Sequence, residues 1–180
     1  METRKFSTME LVTMALLAAL LCVSSYISVR LPFSAVPITA QSIIVNMIAL
    51  MLAPKKAGLT IVVWILLGCI GLPVFSNGQS GIGVLAGPTG GYIIGYLVAA
   101  ILISLLRHNQ NKTIRNLIVT IAVGIPVIYL LGAVRMAAVV HVGWKTAIAT
   151  GVLPFIVGDI LKCVIAVYLV KPIYRFVHPE

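Results

Sequence analysis

Long apolar stretches separated by short polar connections constrain this chain more than any other feature of its sequence. Of the 180 residues, 61% are hydrophobic and 9% are charged, whereas soluble domains carry about 25% charged residues. A helix needs about 20 residues to cross the ~30 Å hydrocarbon core of a bilayer. The sequence therefore predicts an all-α integral membrane protein, a single membrane-embedded domain built as a bundle of six transmembrane helices. The predicted spans lie at about 9–27, 38–52, 56–72, 89–106, 113–133 and 154–173.

The positions of lysine and arginine predict the orientation of this bundle, because cytoplasmic connections carry an excess of both residues. Three of them, Arg30, Arg135 and Lys145, lie at one set of span ends. Nine lie at the opposite ends, namely Arg4, Lys5, Lys55, Lys56, Arg107, Lys112, Arg115, Lys171 and Arg175. We therefore expect both termini to be cytoplasmic. The net charge of +9 then reflects membrane topology and does not indicate nucleic-acid binding.

Two charged residues, Asp159 and Lys162, lie inside the last apolar stretch. A charge at membrane depth costs at least ~2.5–3.5 kcal/mol. Positions i and i+3 share one face of a helix, so both side chains can point into the same cavity. One interpretation is an internal ion pair that only holds two helices together. The other, which we favour, is a pair that meets a polar solute.

The three spans that begin on the predicted outer side share a sequence pattern. Each has a proline near its start, where the first helical turn needs no N–H donor. Small or polar residues follow just inside, namely Thr39 with Gln41, Thr89 with Gly90, Gly91 and Tyr92, and Gly158 with Asp159 and Lys162. Ordinary helix capping explains any single start. Three such starts at one depth predict a ligand pocket. The N-termini of the three helices would suit an anionic group of the ligand.

The connection 73–88 contains four glycines with Asn77, Gln79 and Ser80, and it carries no charge. A disordered aqueous loop is more often charged. We therefore interpret this segment, called the lid below, as chain that lies against the membrane-embedded body.

Other site chemistries find no support in the sequence. The GPTGG segment lacks the spacing of a phosphate-binding loop, and no serine lies in a GxSxG elbow. His108, His141 and His178 are far apart, so we expect no metal site. We expect no cofactor either, and an integral-membrane enzyme is an alternative without a supporting motif.

Three segments together resemble the BioY family: VPITAQ at 36–41, LAGPTGGY at 85–92 and LPFIVGDILK at 153–162. BioY proteins are the biotin-specific substrate-binding components, or S components, of energy-coupling factor (ECF) transporters. The resemblance covers essentially the whole chain and includes its length, six spans and motif order. It implies biotin binding near the outer face of a prokaryotic cell membrane. It also implies partnership with a transmembrane coupling subunit and two cytoplasmic ATPase subunits, since this chain would hydrolyse no ATP.

The resemblance assigns roles to particular residues. Asp159, Lys162, Tyr92 and the lid region around Asn77 match the family's biotin contacts, and the helix starts add Gln41, Thr89 and Gly91 as candidates. Ala15 and Ala19 form a small-xxx-small pair that lets another helix approach closely. Internal packing is the commoner explanation of such a pair, but the resemblance makes it the docking motif for the coupling subunit.

One residue departs from the family pattern. Arg135 occupies a stretch that is usually apolar or aromatic, which leaves it as either an interfacial side chain or a carboxylate contact. A stand-alone biotin facilitator remains an alternative to the S-component interpretation.

Overall fold

A computed structural model describes residues 7–108 and 112–177. Arg4, Lys5 and His178, which enter the predictions above, lie outside these ranges. Within them the helices are α1 (Thr8–Ser24), α2 (Gln41–Met51), α3 (Pro54–Cys69), α4 (Ile82–Ala86), α5 (Gly90–Leu106), α6 (Thr113–Val119), α7 (Ile125–Val140), α8 (Trp144–Gly151) and α9 (Ile156–Val177). A 3₁₀ turn covers Ser76–Gly78, and a π-helical turn covers Thr120–Gly124. Strands β1 (Ser28–Val29) and β2 (Ile38–Thr39) form an antiparallel pair.

Several helices begin where the local sequence specifies a start. Ser7 caps α1 by accepting a hydrogen bond from the Glu10 amide, and the Glu10 carboxylate accepts one from the Ser7 amide. This reciprocal pair satisfies amides that have no partner within the helix. Pro54 occupies the first turn of α3, where its missing N–H costs nothing. α5 begins at Gly90 and ends at Leu106, in agreement with the span predicted at 89–106.

The second predicted span begins later than the hydropathy pattern indicates. Residues 38 and 39, predicted as helical, form β2 and pair with β1, and α2 starts at Gln41. The Ala40 amide also donates to the Ile27 carbonyl at 3.0 Å. These long-range partners satisfy the backbone of an apolar segment, so it does not need to be helical.

The fifth predicted span is longer than the sequence indicates. The prediction ended it at 133, but α6, the π turn and α7 form one continuous helix, Thr113–Val140. The π turn ends at Gly124, two residues before Pro126, which has no N–H for the helical ladder. A local change of hydrogen-bond spacing lets the helix continue past the proline. Much of the predicted outer connection 134–153 is therefore helical, in the end of α7 and in α8.

By length and composition, the helix Thr113–Val140 can cross a bilayer. α8 and the described part of α9 up to Tyr174 are bent by 49° relative to each other and count as a second span if taken together. α1, α2 and α5 are apolar but shorter. Length and composition alone thus identify one or two spanning helices in the described ranges.

α2 lies at the centre of the fold, and its residues from Val45 to Met51 are all buried. α5 and α7 pack at very short range because glycine lines both sides of their interface. A Cβ added at Gly91 would meet the Leu131 carbonyl oxygen, and one at Gly132 would meet the Tyr92 ring. This close packing fixes the two helices that carry the aromatic side chains of the site.

Candidate ligand-binding site

A cavity of about 50 Å³ lies between α2, α5, α7 and α9, under the β1–β2 connection and the lid. A cavity needs roughly 10–15 Å³ to hold one water molecule, so this one has room for a few. Its walls are mainly apolar and aromatic, with a few polar groups facing one another. The lining residues are Val36, Pro37, Thr39, Ser42, Asn46, Ser76, Thr89, Tyr92, Ile93, Tyr96, Gly124, Ile125, Ile128, Tyr129, Phe155, Asp159, Lys162 and Cys163.

The Asp159 carboxylate is the centre of the polar groups in this cavity. Its Oδ1 accepts from the Lys162 ammonium at 2.8 Å and from the Ser42 hydroxyl at 3.4 Å. Its Oδ2 accepts from the Tyr129 hydroxyl at 2.7 Å. Three elements, α2, α7 and α9, thus supply donors to one carboxylate.

The ion pair is mostly shielded, with Lys162 14% exposed and Asp159 18% exposed. Charges in such a place are stable only when paired and hydrogen-bonded. An ammonium has three N–H donors, and among the described residues Lys162 donates to Asp159 alone. The pair can therefore offer further hydrogen bonds to a polar ligand.

The remaining polar groups of the cavity hold its walls in place. Tyr92 donates to the Gly151 carbonyl at 2.7 Å, which fastens α5 to the end of α8. Tyr96 is hydrogen-bonded to Thr39. Asn46 donates to the Cys163 sulfur at 3.4 Å and joins α2 to α9. The wall positions are thus set by bonds between elements that are distant in sequence.

The structure brings four of the predicted contacts together: Asp159, Lys162, Tyr92 and Thr89 all line the cavity. Gln41 and Gly91 lie elsewhere. Gln41 is buried and supports the lid, and Gly91 belongs to the α5–α7 interface described above. Their roles as ligand contacts stay predictions.

The lid packs against the body, as predicted from its lack of charge. The Val74 carbonyl accepts from Gln41 at 3.2 Å and from the Trp64 indole at 3.1 Å. Phe75 is fully buried edge-on against Trp64, with ring centroids 5.3 Å apart. Ser76 reaches the cavity and donates to Gln41 at 3.0 Å.

Asn77 lies at the turn of the lid, with a left-handed backbone at φ 60°. Its amide donates to the Ser25 carbonyl at 3.1 Å, and its side-chain oxygen accepts from Ser28 at 2.7 Å. Asn77 therefore ties the lid to the end of α1 and to β1. It lines a neighbouring cleft and not the cavity itself, so its contact with a ligand stays a prediction.

Sequence reasoning missed several lining residues, namely Ser42, Tyr96 and Phe155. Asn46 and Tyr129 form hydrogen bonds between helices, and both also line the cavity. The available signal was helical spacing, because Ser42 and Asn46 lie four residues apart, as do Tyr92 and Tyr96. Tyr129 carries no such signal, since its partner Asp159 is 30 residues away.

Arg135, whose role the sequence left open, lies inside α7 and donates to the Ala86 carbonyl at 2.6 Å. Ala86 is the last residue of α4, where carbonyls lack helical partners. Within the described ranges Arg135 therefore caps the lid's short helix and does not line the cavity.

The face of α1 that carries Ala15 and Ala19 is exposed. Together with Val63, Leu67 and Val74, these alanines line an almost wholly apolar groove of about 570 Å³ between α1, α3 and the start of the lid. The pair is therefore not used for packing inside this chain.

Residues 7–108 and 112–177 contain no group of three or more His, Cys, Asp or Glu side chains able to hold an ion. All three cysteines are free.

A helical bundle around a shielded ion pair, roofed by a packed lid, defines a class: helical proteins with a polar cavity between their helices. In fold, the chain is similar to the crystal structure of the S-component for biotin from an ECF-type ABC transporter. The TM-score is 0.87 at 23% sequence identity, and 95% of each chain is covered. The chain belongs to the BioY family, whose family model matches residues 1–179. Membership in this family implies a membrane protein.

Curated relatives agree with this family. The chain is 36% identical to biotin transporter BioY2 of Lactococcus lactis, over 92% of this chain and 88% of the relative. It is 36% identical to biotin transporter BioY of Thermotoga maritima, with 87% and 90% covered. It is 40% identical to a probable biotin transporter BioY of Pyrococcus horikoshii, with 90% and 94% covered.

Proposed function

We propose that this chain binds biotin and takes part in its uptake as the substrate-binding component of an ECF-type ABC transporter. The observation that carries the proposal is the Asp159–Lys162 pair inside a partly enclosed cavity, in a chain that belongs to the BioY family. The relatives named as biotin transporters support transport and not enzyme activity.

The polar groups of the cavity suit the chemistry of biotin. Its ureido ring has two N–H donors and one carbonyl acceptor, and its valerate tail ends in a carboxylate. Asp159 accepts from the ureido N–H groups, and Lys162 donates to the carbonyl or to the carboxylate. The hydrogen bond from Ser42, at 3.4 Å the longest of the three to Asp159, is the one most easily exchanged for a ligand.

The apolar walls complete the fit. Ile93, Ile128 and Phe155 line the cavity beside the tyrosines, and ligand sites are commonly apolar with a few oriented polar groups. Biotin is larger than a few water molecules, so its binding requires the roof of the cavity to move. The lid is the segment that moves in this proposal.

The partners are a transmembrane coupling subunit and two cytoplasmic ATPase subunits. The exposed groove beside Ala15 and Ala19 is the docking face for the coupling subunit, because small side chains let a helix approach closely. ATP hydrolysis is assigned to the ATPase subunits.

In the membrane, we propose six spans with both termini in the cytoplasm of a prokaryotic cell. The excess of lysine and arginine at one set of helix ends supports this orientation. It places the cavity and its lid near the outer face. It places the second ion pair, between Lys56 and Glu10, near the inner face.

Thermal unfolding of the purified full-length chain in detergent tests biotin binding. A ligand that binds only the folded state stabilises it by RT ln(1 + [L]/Kd). We expect biotin to raise the unfolding temperature, and pentanoic acid, which has the tail but no ureido ring, to leave it unchanged. Equal unfolding temperatures with and without saturating biotin would contradict the proposed function. Uptake by proteoliposomes that contain the chain without partners would instead support the stand-alone facilitator.

A further inference from the structure

A second cleft adjoins the cavity beneath the lid. It has a volume of about 290 Å³ and is lined by Arg30, Leu31, Ser34, Ala35, Pro37, Asn77, Gln79 and Thr89. Pro37 and Thr89 line both the cleft and the cavity. The two spaces therefore share a wall made by the β1–β2 connection, the lid and the start of α5.

This wall is a single layer of chain. Ala35 lines the cleft and its neighbour Val36 lines the cavity. In the lid, Asn77 lines the cleft and Ser76 lines the cavity. Consecutive residues thus face opposite spaces, and a small displacement of either segment would join them.

Hydrogen bonds from polar side chains hold the wall in its present position. Ser28 donates to Asn77 at 2.7 Å, and Ser76 donates to Gln41 at 3.0 Å. A typical intramolecular hydrogen bond contributes only about 0.5–1.5 kcal/mol net. The wall can therefore open at a modest free-energy cost.

The cleft carries one charge, the exposed guanidinium of Arg30. Within the described ranges the ion pairs are Lys56–Glu10 and Lys162–Asp159, so Arg30 belongs to neither. No acidic residue lines the cleft. An uncompensated cation in a concave surface raises the local concentration of anions.

We infer that this cleft is the vestibule through which the ligand reaches the cavity, and that Arg30 attracts the ligand's carboxylate before the ring passes between Pro37 and Thr89. The inference rests on the proposed function, because it assumes an anionic ligand such as biotin. It makes Arg30 a determinant of the association rate that neither the family motifs nor the cavity contacts identify. The chemical class that it selects is a small molecule with a carboxylate at the end of a flexible tail.

Stopped-flow measurement of the association rate constant tests this role with the full-length chain. Arg30→Gln should slow association of biotin about 3- to 10-fold at low ionic strength, the lower end of electrostatic steering effects. The loss should shrink as salt rises, because the Debye length falls to about 10 Å at 0.1 M. Biotin carboxamide, which is uncharged, should bind the variant and the wild type at equal rates.

Two variants control for the presence of the charge and for its position. Arg30→Lys keeps the cation and should keep the association rate for biotin within about twofold of wild type, since steering depends on charge. Lys145→Gln removes an exposed cation from α8, which does not line the cleft, and should leave the rate unchanged.

The outcomes separate this inference from the proposed function. If the wild type fails to bind biotin, the proposed function is wrong. If it binds but Arg30→Gln associates as fast as the wild type, the vestibule is wrong. Equal slowing for biotin and the carboxamide also overturns the inference, because it indicates a structural effect. If Arg30→Gln does not fold, the wild type provides the test. Its association rate constant must fall as salt rises for biotin and stay constant for the carboxamide.

Discussion

The cavity around Asp159 and the groove beside Ala15 are built in opposite ways. The cavity gathers polar side chains from four helices, and each buried side-chain nitrogen or oxygen in the described residues has a hydrogen-bond partner. The groove presents apolar atoms almost exclusively and is open to its surroundings.

This difference is the one expected if the chain recognises its ligand and its partner subunit in two different ways. Mutually satisfied polar groups reject a ligand that leaves them unpaired, so the cavity has the properties of a selective site. An open apolar surface with small side chains selects by shape and close approach, which is how helices associate in lipid. Substitutions that disrupt one of these regions should therefore leave the function of the other intact.

The strongest test of this separation fills the groove with larger side chains. Ala15→Trp combined with Ala19→Trp should abolish co-purification with the coupling subunit and reduce ATP-dependent biotin uptake to background. Both alanines are exposed, so the added rings do not disturb the interior. Biotin affinity, measured by calorimetry on the purified chain, should stay within about twofold of wild type, in line with substitutions away from buried features.

Leu16 provides a matched control on the same helix. It is 60% exposed and does not line the groove, so Leu16→Trp should leave both complex formation and uptake intact. A complex of normal yield with the double variant would show that the coupling subunit docks elsewhere.

The sequence predicted those parts of the fold that local patterns determine. Apolar length placed α5 almost at its observed bounds, and the i, i+3 spacing placed Asp159 and Lys162 on one face, where they form an ion pair at 2.8 Å. The start of α5, which carries Thr89 and Tyr92, lies at the same cavity as Asp159 and Lys162, as expected.

The failures arise where distant partners decide the structure. Hydropathy extended the second span to residue 38 because it does not register the pairing of Ile38 with Val29. The fifth span was predicted to end before Arg135 because that residue is charged. Arg135 instead lies inside α7 and donates to the Ala86 carbonyl, 49 residues away. The sequence prediction also left Tyr129 out of the site. Its neighbours in sequence are apolar, and its hydrogen-bond partner Asp159 is 30 residues away.

Removal of the shielded charge on Asp159 should cause the next largest effect. Asp159→Asn should weaken biotin binding by at least about 1–3 kcal/mol, because it leaves Lys162 and Tyr129 poorly paired. That corresponds to roughly 5- to 150-fold in Kd, measured by calorimetry. Glu10→Gln removes the other ion pair, at the start of α1, and should not change the affinity. Equal affinities for the wild type and Asp159→Asn would remove Asp159 from the site.

A smaller effect distinguishes the two tyrosines that donate hydrogen bonds in the cavity. Tyr129→Phe removes the 2.7 Å bond to the Asp159 carboxylate, and bonds to charged groups contribute about 1.5–3 kcal/mol. We expect a loss of biotin affinity of about tenfold, partly offset by the ligand's own donors. Tyr92→Phe removes a bond to the Gly151 carbonyl and should lower the unfolding temperature with less effect on Kd. The reverse ranking of the two variants in Kd would mean that Tyr92 contacts the ligand directly.

The smallest expected effect is on amide exchange in the lid. It tests whether the lid closes over the cavity when biotin binds. The lid is fixed at its base by the buried Phe75, whereas its turn at Asn77 is held by two hydrogen bonds. Local opening of such a turn exposes its amides without global unfolding. If biotin fills the cavity below Ser76, the amides of residues 76–87 should exchange more slowly by a few-fold. The groove face of α1 should show no change in exchange on biotin binding, because it is remote from the ligand. Slower exchange in α1 as well would mean that binding stiffens the whole chain, and unchanged exchange in the lid would leave it a fixed roof with the ligand entering by another route.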